Sequence, residues 1–478
     1  MQTRLSDTSC ELFEIGIFVS VSAKSKDELN ELTKALQEKS RRHQVVIDVL
    51  TRQQEKAMNS VLPFGVNHFS QIAGNAINTY LLSDAAGVLV PFSNRTYFSA
   101  SGVYYGLNKN TNALIILDRT DEMNSNGFVL GASGSGKSMS IKAEIVDVLM
   151  NFPDDEIIVI DPENEFLPLV EPFNGERLKL SANSPTKMNI FDTDLNYSEE
   201  GSSAIALKSE FLMTVVETAK GVPLTSGETS IIDRCIKEVY QDFARSGGDK
   251  VKLPTLVDFY ELLRKQEQQE AQDIALVLEL YATGSFNTFA DKTNVQINKK
   301  FLVIDTFEMG EQMKSVGLQV ILEFLWQRVI ENKKRGVRTW VWIDEFSMMF
   351  SDIKSGVFFA KVYKRIRKHG GVVTGVTQNI TEVLDSPQAQ TMISNSEFVV
   401  LLQQKKNDLE KLIKLFELSP TQSAVLKTGE KGTGLIICGK KVIPFSKLIP
   451  TNSLMYQIYS TNFKEQQEKL RKANQSEE

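Results

Sequence analysis

The run Gly131-Ala132-Ser133-Gly134-Ser135-Gly136-Lys137-Ser138 fits the phosphate-cradling pattern G-x-x-x-x-G-K-[ST] at every defined position. The residue types follow from the chemistry. Glycines let backbone N–H groups crowd round phosphate oxygens, and the N-terminus of a following helix adds a favourable dipole. Lys137 then reaches the β- and γ-phosphates, the Ser138 hydroxyl ligates Mg²⁺, and Met139 belongs to the same binding segment. The flanks agree with this reading. Phe128-Val129-Leu130 is of strand type, and Ile141, Ile145 and Leu149 recur at helical spacing. The segment therefore predicts a nucleoside triphosphate site.

Hydrolysis needs more than a phosphate loop. Trp340-Val341-Trp342-Ile343-Asp344-Glu345 is a buried-strand pattern ending in two acids. Such a strand presents its acids at the carboxyl edge of the sheet, beside the phosphate loop. Asp344 is expected to hold Mg²⁺ through water, and Glu345 to orient and polarise the attacking water. Ile160-Asp161-Pro162-Glu163-Asn164-Glu165 ends another strand in acids; Asp161 and Glu163 either line the nucleotide or a subunit contact, or Asp161 caps a turn. Asp305 is assigned to structure. Gln378, in Thr377-Gln378-Asn379, is a candidate sensor of the γ-phosphate. Lys361, Lys364, Arg365, Arg367, Lys368 and His369 form a basic helix end before Gly370-Gly371. Cations are favourable at any helix C-terminus, and Arg365 or Arg367 can alternatively serve a neighbouring subunit as an arginine finger.

The elements that must position these groups are legible as pattern. Short apolar strands over Ile157–Ile160, Phe301–Ile304, Thr339–Ile343, Val372–Thr377, Phe398–Leu402 and Leu435–Cys438 alternate with helices, which predicts a mostly parallel α/β core. From about Ser198 to Gln296 the rhythm breaks into an all-α insertion. Upstream, Phe13–Val21, a helix face at Leu29, Leu32 and Leu36, and Val45–Leu50 read as strand, helix, strand. Turn residues and strand pieces over Ser60–Gly127 predict β-hairpins leading into the nucleotide domain. The expected organisation is a partial N-terminal α+β domain over 1–95 and the start of the core over 96–197. The insertion follows over 198–297, then the rest of the core over 298–462 and a polar tail over 463–478.

Composition sets wider bounds. The chain has 478 residues, 42% hydrophobic and 24% charged, the balance of an ordinary globular protein of two or three domains. A net charge of −6 gives no sign of a dedicated nucleic-acid binder, although a local basic groove is compatible with it. Cys10, Cys235 and Cys438 lie far apart and have no metal-ligand spacing, and His43, His68 and His369 are isolated; free thiols in a reducing cytosol are expected. No apolar run approaches the roughly 18 residues needed to span a bilayer, so the expected chain lacks a transmembrane segment and reaches a membrane only through a partner.

Taken together, these pieces resemble the large ATPase of conjugative type IV secretion systems, the VirB-four family. The resemblance covers most of the chain and rests on order and spacing: Leu62-Pro63-Phe64-Gly65, Asn126-Gly127-Phe128 before the phosphate loop, Asp161-Pro162-Glu163-Asn164-Glu165-Phe166, Met188-Asn189-Ile190-Phe191-Asp192 and Gly284-Ser285-Phe286. It continues with Ile343-Asp344-Glu345-Phe346, Arg365-Ile366-Arg367-Lys368, Thr377-Gln378-Asn379 and Gly429-Glu430-Lys431-Gly432-Thr433-Gly434. The resemblance implies a RecA-like motor core with an all-α lid, ATP and Mg²⁺ as cofactors, and a homo-hexamer. It also implies a location at the cytoplasmic face of the cell membrane, docked on inner-membrane channel components, with single-stranded DNA as a candidate substrate. Lys137, Ser138, Asp344, Glu345 and Gln378 carry the roles above, with Arg365 or Arg367 acting in trans. Two departures stand out: the N-terminal domain is shorter than is usual in the family, and the glycine motif carries the inserted Lys431-Gly432-Thr433.

Two other readings compete. One is a related DNA-pumping translocase or coupling protein, for which Lys405-Lys406 and Lys440-Lys441 are the pore-loop candidates. The other is a nucleotide-gated scaffold with little hydrolysis, against which an intact Glu345 argues.

Overall fold

The computed structural model describes residues 12–460 apart from 44, 63–65, 67, 70–77, 84–85, 87–96, 183, 196–202, 296–298 and 351–352. The Pro63-Phe64-Gly65 part of the Leu62-Pro63-Phe64-Gly65 motif and the 463–478 tail lie outside the described residues. The chain divides into two compact units, Met1–Arg95 and Thr96–Glu478.

In the first unit β1 (Leu12–Gly16) pairs antiparallel with β2 (Asn78–Leu82). Helix α1 (Lys26–Arg42) opens at Ser25, whose hydroxyl accepts the Glu28 N–H at 3.2 Å, and carries acids in its first turn and bases in its last. Helix α2 covers Gln54–Val61. The strand expected over Val45–Leu50 does not form; Val45, Val46 and Val49 are exposed, and β1 takes its partner from residues 78–82 instead. The first strand also stops at Gly16 rather than Val21. β-Branched residues favour a strand only where a partner edge and a packed face are available.

Among the described residues, the second unit is built on one sheet of twelve strands. They are β3 (Tyr97–Phe98), β4 (Val103–Asn108), β5 (Leu114–Leu117), β6 (Gly127–Leu130), β7 (Glu156–Asp161) and β8 (Glu176–Lys179). Then come β9 (Phe301–Asp305), β10 (Thr339–Ile343), β11 (Gly371–Thr377), β12 (Phe398–Leu402), β13 (Thr433–Cys438) and β14 (Lys441–Ser446). The order across the sheet is β3-β5-β4-β14-β13-β12-β6-β11-β10-β7-β9-β8. The run from β12 to β8 is parallel throughout, while the β4–β5 and β13–β14 hairpins add an antiparallel wing. The mostly parallel α/β core read from the apolar runs is therefore present; β6, β7, β9, β10, β11 and β12 are buried at every residue, as strands covered on both faces must be.

Helix α3 (Lys137–Asn151) covers one face. On that side Arg119 is 1% exposed, its guanidinium 5.0 Å from the Trp340 and Phe398 ring centres and 3.6 Å from Glu144 of α3. It donates to the Thr374 hydroxyl at 2.6 Å. Trp340 and Trp342 stack on this same face with centroids 5.9 Å apart. The other face carries the helical segment: α4 (Ala204–Lys220), α5 (Ser226–Val239), α6 (Leu256–Arg264) and α7 (Gln269–Ala282). Capping boxes at Thr225/Glu228 and Thr255/Asp258 start α5 and α6. Phe211, Ile232, Cys235, Leu263 and Ile274 join the apolar core that underlies Ile158, Ile304 and Val341, so these helices share a core with the sheet. Helices α8 (Glu311–Lys334) and α9 (Ile353–Ile366) complete that layer. The described residues include no helix long and apolar enough to cross a membrane.

Candidate active site

Four parallel strands carry the site. β6 lies between β11 and β12, and β10 lies on the far side of β11, so the phosphate loop leaves the sheet one strand away from the strand ending in Asp344. The register brings the edges level: Ile343 pairs with Gly375, and Leu130 with Thr377. The loop entry hangs from both neighbours. Gly131 N–H donates to the Thr377 carbonyl at 3.3 Å, and Ala132 N–H to the Gln403 carbonyl at 2.9 Å.

The loop then turns through two left-handed glycines, Gly134 (φ 80°) and Gly136 (φ 94°), before α3 begins at Lys137. A side chain is strained in such a conformation, which accounts for glycine at both. Ser133 and Gly134 form the exposed tip, and nothing lies within 4 Å of where a Gly134 Cβ would stand, so the space above the loop is open. Ser135 is 1% exposed, and its Oγ is buried with no protein partner. A buried hydroxyl of this kind, with the open cradle, the helix N-terminus and the Lys137 ammonium, fits a triphosphate. Lys137 and Ser138 are half-buried at the start of α3. Met139 packs its side chain against the core.

Asp344 is 5% exposed, one residue beyond β10, and its N–H donates to the Ile160 carbonyl at 3.1 Å. Burial pushes its carboxyl up to about 7; the Lys137 charge pulls it down, while Glu165 and Asp161 add to the rise. This acid is ready to ionise against a cation. The Asp344 carboxylate and the Ser138 hydroxyl are hard-oxygen donors, the chemistry that fits Mg²⁺ bound largely through water and phosphate. Glu345 has left-handed backbone, φ 45°, a conformation costing on the order of 1–3 kcal/mol outside glycine. The turn aims its carboxylate, which accepts from the Ser347 hydroxyl at 2.7 Å and from Asn379 Nδ2 at 3.4 Å.

Several groups join the site that sequence reasoning missed or left aside. Asn379, next to Gln378, is the strand-end amide that touches Glu345, and Gln378 is exposed beside it. Lys142 is fully buried five residues after Lys137; burial lowers its ammonium to about 8 against the opposing pull of Glu165, Asp161 and Asp344. Its Nζ donates to the Tyr459 carbonyl, 3.1 Å away at the end of the C-terminal helix α10 (Leu454–Tyr459). A lysine on what reads as the apolar side of a helix gives no local signal; only the packed acids explain it. Asp161 is committed to a turn, its two oxygens accepting the Glu165 and Phe166 N–H groups at 3.0 and 2.9 Å, and burial raises it to about 6. Glu163 is exposed, whereas Glu165 is half-buried with one carboxylate oxygen, Oε2, buried and without a partner. Asp305 is buried and bound by Arg177 at 2.5 and 3.0 Å.

The basic helix end lies elsewhere. Arg365 is half-buried at the end of α9, lining a small cleft with Glu210, Glu323 and Trp326, and Arg367 is exposed in the turn that Gly370 closes with φ 80°. Both precede β11, whose first residue Gly371 pairs with Thr339, the first of β10. They therefore occupy the amino edge of a seven-residue strand, about 20 Å from the carboxyl edge where the phosphate loop lies. Neither reaches the nucleotide site of its own chain.

Fold and site together define a RecA-like P-loop NTPase. The sequence matches the TraG P-loop domain over residues 116–434, and the chain belongs to that family. Among solved structures it is similar to VirB4 of Thermoanaerobacter pseudethanolicus, at 24% identity and a TM-score of 0.66 over 76% of this chain and 100% of that one. It is also similar to the bacterial conjugative coupling protein TrwBdeltaN70, at 15% identity and a TM-score of 0.49 over 74% of this chain and 90% of that one. No curated protein sequence matches it. The resemblance to the VirB-four family read from the motifs is borne out by the P-loop family match and by the fold shared with VirB4.

Proposed function

We propose that this chain hydrolyses ATP with Mg²⁺ as one subunit of a cytoplasmic homo-hexamer that powers a conjugative type IV secretion channel. In this reading it docks on inner-membrane channel components and drives channel assembly or the passage of substrate, single-stranded DNA among the candidates. The backbone of Gly131–Ser138 and the Met139 N–H bind the phosphates, Lys137 neutralises the β- and γ-oxygens, and Ser138 with Asp344 holds Mg²⁺. When bound, the metal would screen the phosphate charge. Glu345 takes a proton from the attacking water, and Gln378 contacts the γ-phosphate.

The observation that carries hydrolysis, rather than binding alone, is the oriented Glu345: an acid held in left-handed backbone, with Ser347 and Asn379 fixing its carboxylate. A scaffold needs no such arrangement. The distance of Arg365 and Arg367 from their own phosphate loop supports a role for one of them on a neighbour's nucleotide, hence activity that depends on assembly. The deciding experiment is steady-state Mg·ATP turnover of the full chain over a range of protein concentrations. Specific activity should rise steeply with concentration and vanish in Glu345→Gln. Flat activity would remove the trans arginine, and no turnover at any concentration, with ATP nonetheless bound, would sink the hydrolase reading.

A further inference from the structure

The glycine motif at 429–434 packs directly on the phosphate loop. Gly432 N–H donates to the Ser135 carbonyl at 3.1 Å, and Lys447 N–H donates back to the Gly432 carbonyl at 2.9 Å. The approach is close enough that a Cβ on Gly136 would stand 3.0 Å from Gly432 N and 3.8 Å from the Lys431 carbonyl carbon. Gly432 is itself left-handed, φ 77°. Lys447 anchors the turn to α3 and the β4–β5 hairpin through Asp147, at 2.8 Å, and the Tyr104 carbonyl, at 2.6 Å. The turn is thus a fixed wall of the site, and it presents exposed Lys431 at the loop's rim. Leu448 lies beside it, 65% exposed, its Cδ2 3.7 Å from where a Gly432 Cβ would be.

The side of the sheet decides what this wall faces. Asp344 and Glu345 end β10, and the metal and γ-phosphate belong there. The wall precedes β13, four strand spacings away in the order β10-β11-β6-β12-β13, roughly 19 Å. A nucleotide with its γ-phosphate at Asp344 and its chain of phosphates over Ser135 and Gly136 directs its nucleoside at this turn. We infer that the Gly429–Gly432 turn and Leu448 form the nucleoside end of the site, with the Lys431 ammonium on the inner phosphates and the Leu448 side chain against the base. This rests on the nucleotide-binding reading above and adds the half of the ligand that the phosphate-loop motif does not address.

Equilibrium binding to the full chain by calorimetry tests it with two probes, a non-hydrolysable ATP analogue and inorganic tripolyphosphate, each with Mg²⁺. Lys431→Ala should weaken both about tenfold, the worth of one charged hydrogen bond, and Lys431→Arg should restore both. Leu448→Ser should weaken the ATP analogue about fivefold, through lost apolar contact, and leave tripolyphosphate unchanged. Unchanged affinities in Lys431→Ala, or equal losses of both probes in Leu448→Ser, would overturn the inference. Wild-type chain that binds neither probe would instead overturn the nucleotide-binding reading beneath it.

Discussion

Asn379, two residues past the end of β11, donates through Nδ2 to Oε1 of Glu345, two residues past the end of β10, at 3.4 Å. The contact joins the tips of two neighbouring strands, β11 beside the phosphate-loop strand and β10 beyond it, and it reaches the acid proposed to activate water. Asn379 is itself held, its N–H donating to the buried Thr377 hydroxyl at 3.0 Å, while the Thr377 carbonyl accepts from Gly131. Loop, amide and acid are therefore mechanically connected through Thr377.

Asn379→Ala is accordingly expected to lower kcat about fivefold, the worth of one modest hydrogen bond at roughly 1 kcal/mol, with KM for ATP within twofold. Steady-state kinetics at saturating Mg²⁺ measures both. A rise in KM with unchanged kcat would assign Asn379 to ground-state binding. Gln378→Ala, tested alongside, should lower kcat without changing ADP affinity, since its expected partner is the γ-phosphate.

Removing the acid and removing the cradle should have different outcomes. Glu345→Gln keeps the phosphate loop and should bind ATP with near wild-type affinity while turnover falls by at least 100-fold, in the range for loss of a general base. Lys137→Ala should lose affinity for ATP itself. Filter binding of labelled ATP beside turnover separates the two, and turnover by Glu345→Gln near wild type would hand the base role to another acid, Glu165 first among the candidates because its Oε2 is buried and unpaired.

The raised carboxyl of Asp344, about 7 in the free chain, predicts a pH dependence of known sign. Mg²⁺ needs the ionised form, so binding of Mg·ADP displaces a proton, and affinity should fall as pH drops from 8 to 6. Asp344→Asn should be weak at every pH and lose the slope. Stability of the free chain runs the other way: a carboxyl raised above its unfolded value favours folding below that value, near 3.8, and the contribution is lost as pH rises through about 7. Asp161, raised to about 6, acts in the same direction over a slightly lower window. Calorimetric titration in two buffers of different ionisation enthalpy counts the released proton.

Away from the site, Glu417 closes the helix Lys406–Phe416 in left-handed backbone, φ 51°, with its N–H on the Ile413 carbonyl. It is exposed. Glu417→Gly should stabilise the chain by about 1 kcal/mol, raising Tm by about 1 °C, because glycine adopts this conformation without a Cβ penalty. A thermal melt without nucleotide reads it directly; a lower Tm would mean the carboxylate makes a contact worth more than the strain.

What local pattern determined is the part of this protein that repeats at short range. The phosphate loop declares itself because its glycines, lysine and serine are neighbours in the chain and need only a strand before and a helix after. The strands ending in Asp161, Asp305 and Asp344 were legible because a strand buried on both faces is apolar throughout, and its end shows as an abrupt change to acids. Strand-end pattern already set Asp344 apart for Mg²⁺ and Asp305 for structure, and only the tertiary structure decided Asp161 and what each acid meets. Asp161 turns its oxygens on its own loop, Asp305 on Arg177, and Asp344 remains facing Lys137. Their chain environments look alike, and the difference lies in strand order across the sheet. The same holds for Asn379 beside Gln378, for Lys142 beneath the loop and for the failed strand at Val45–Leu50. Each depends on a partner distant in the chain, and residue type and spacing carry no information about a contact whose other half lies on another strand.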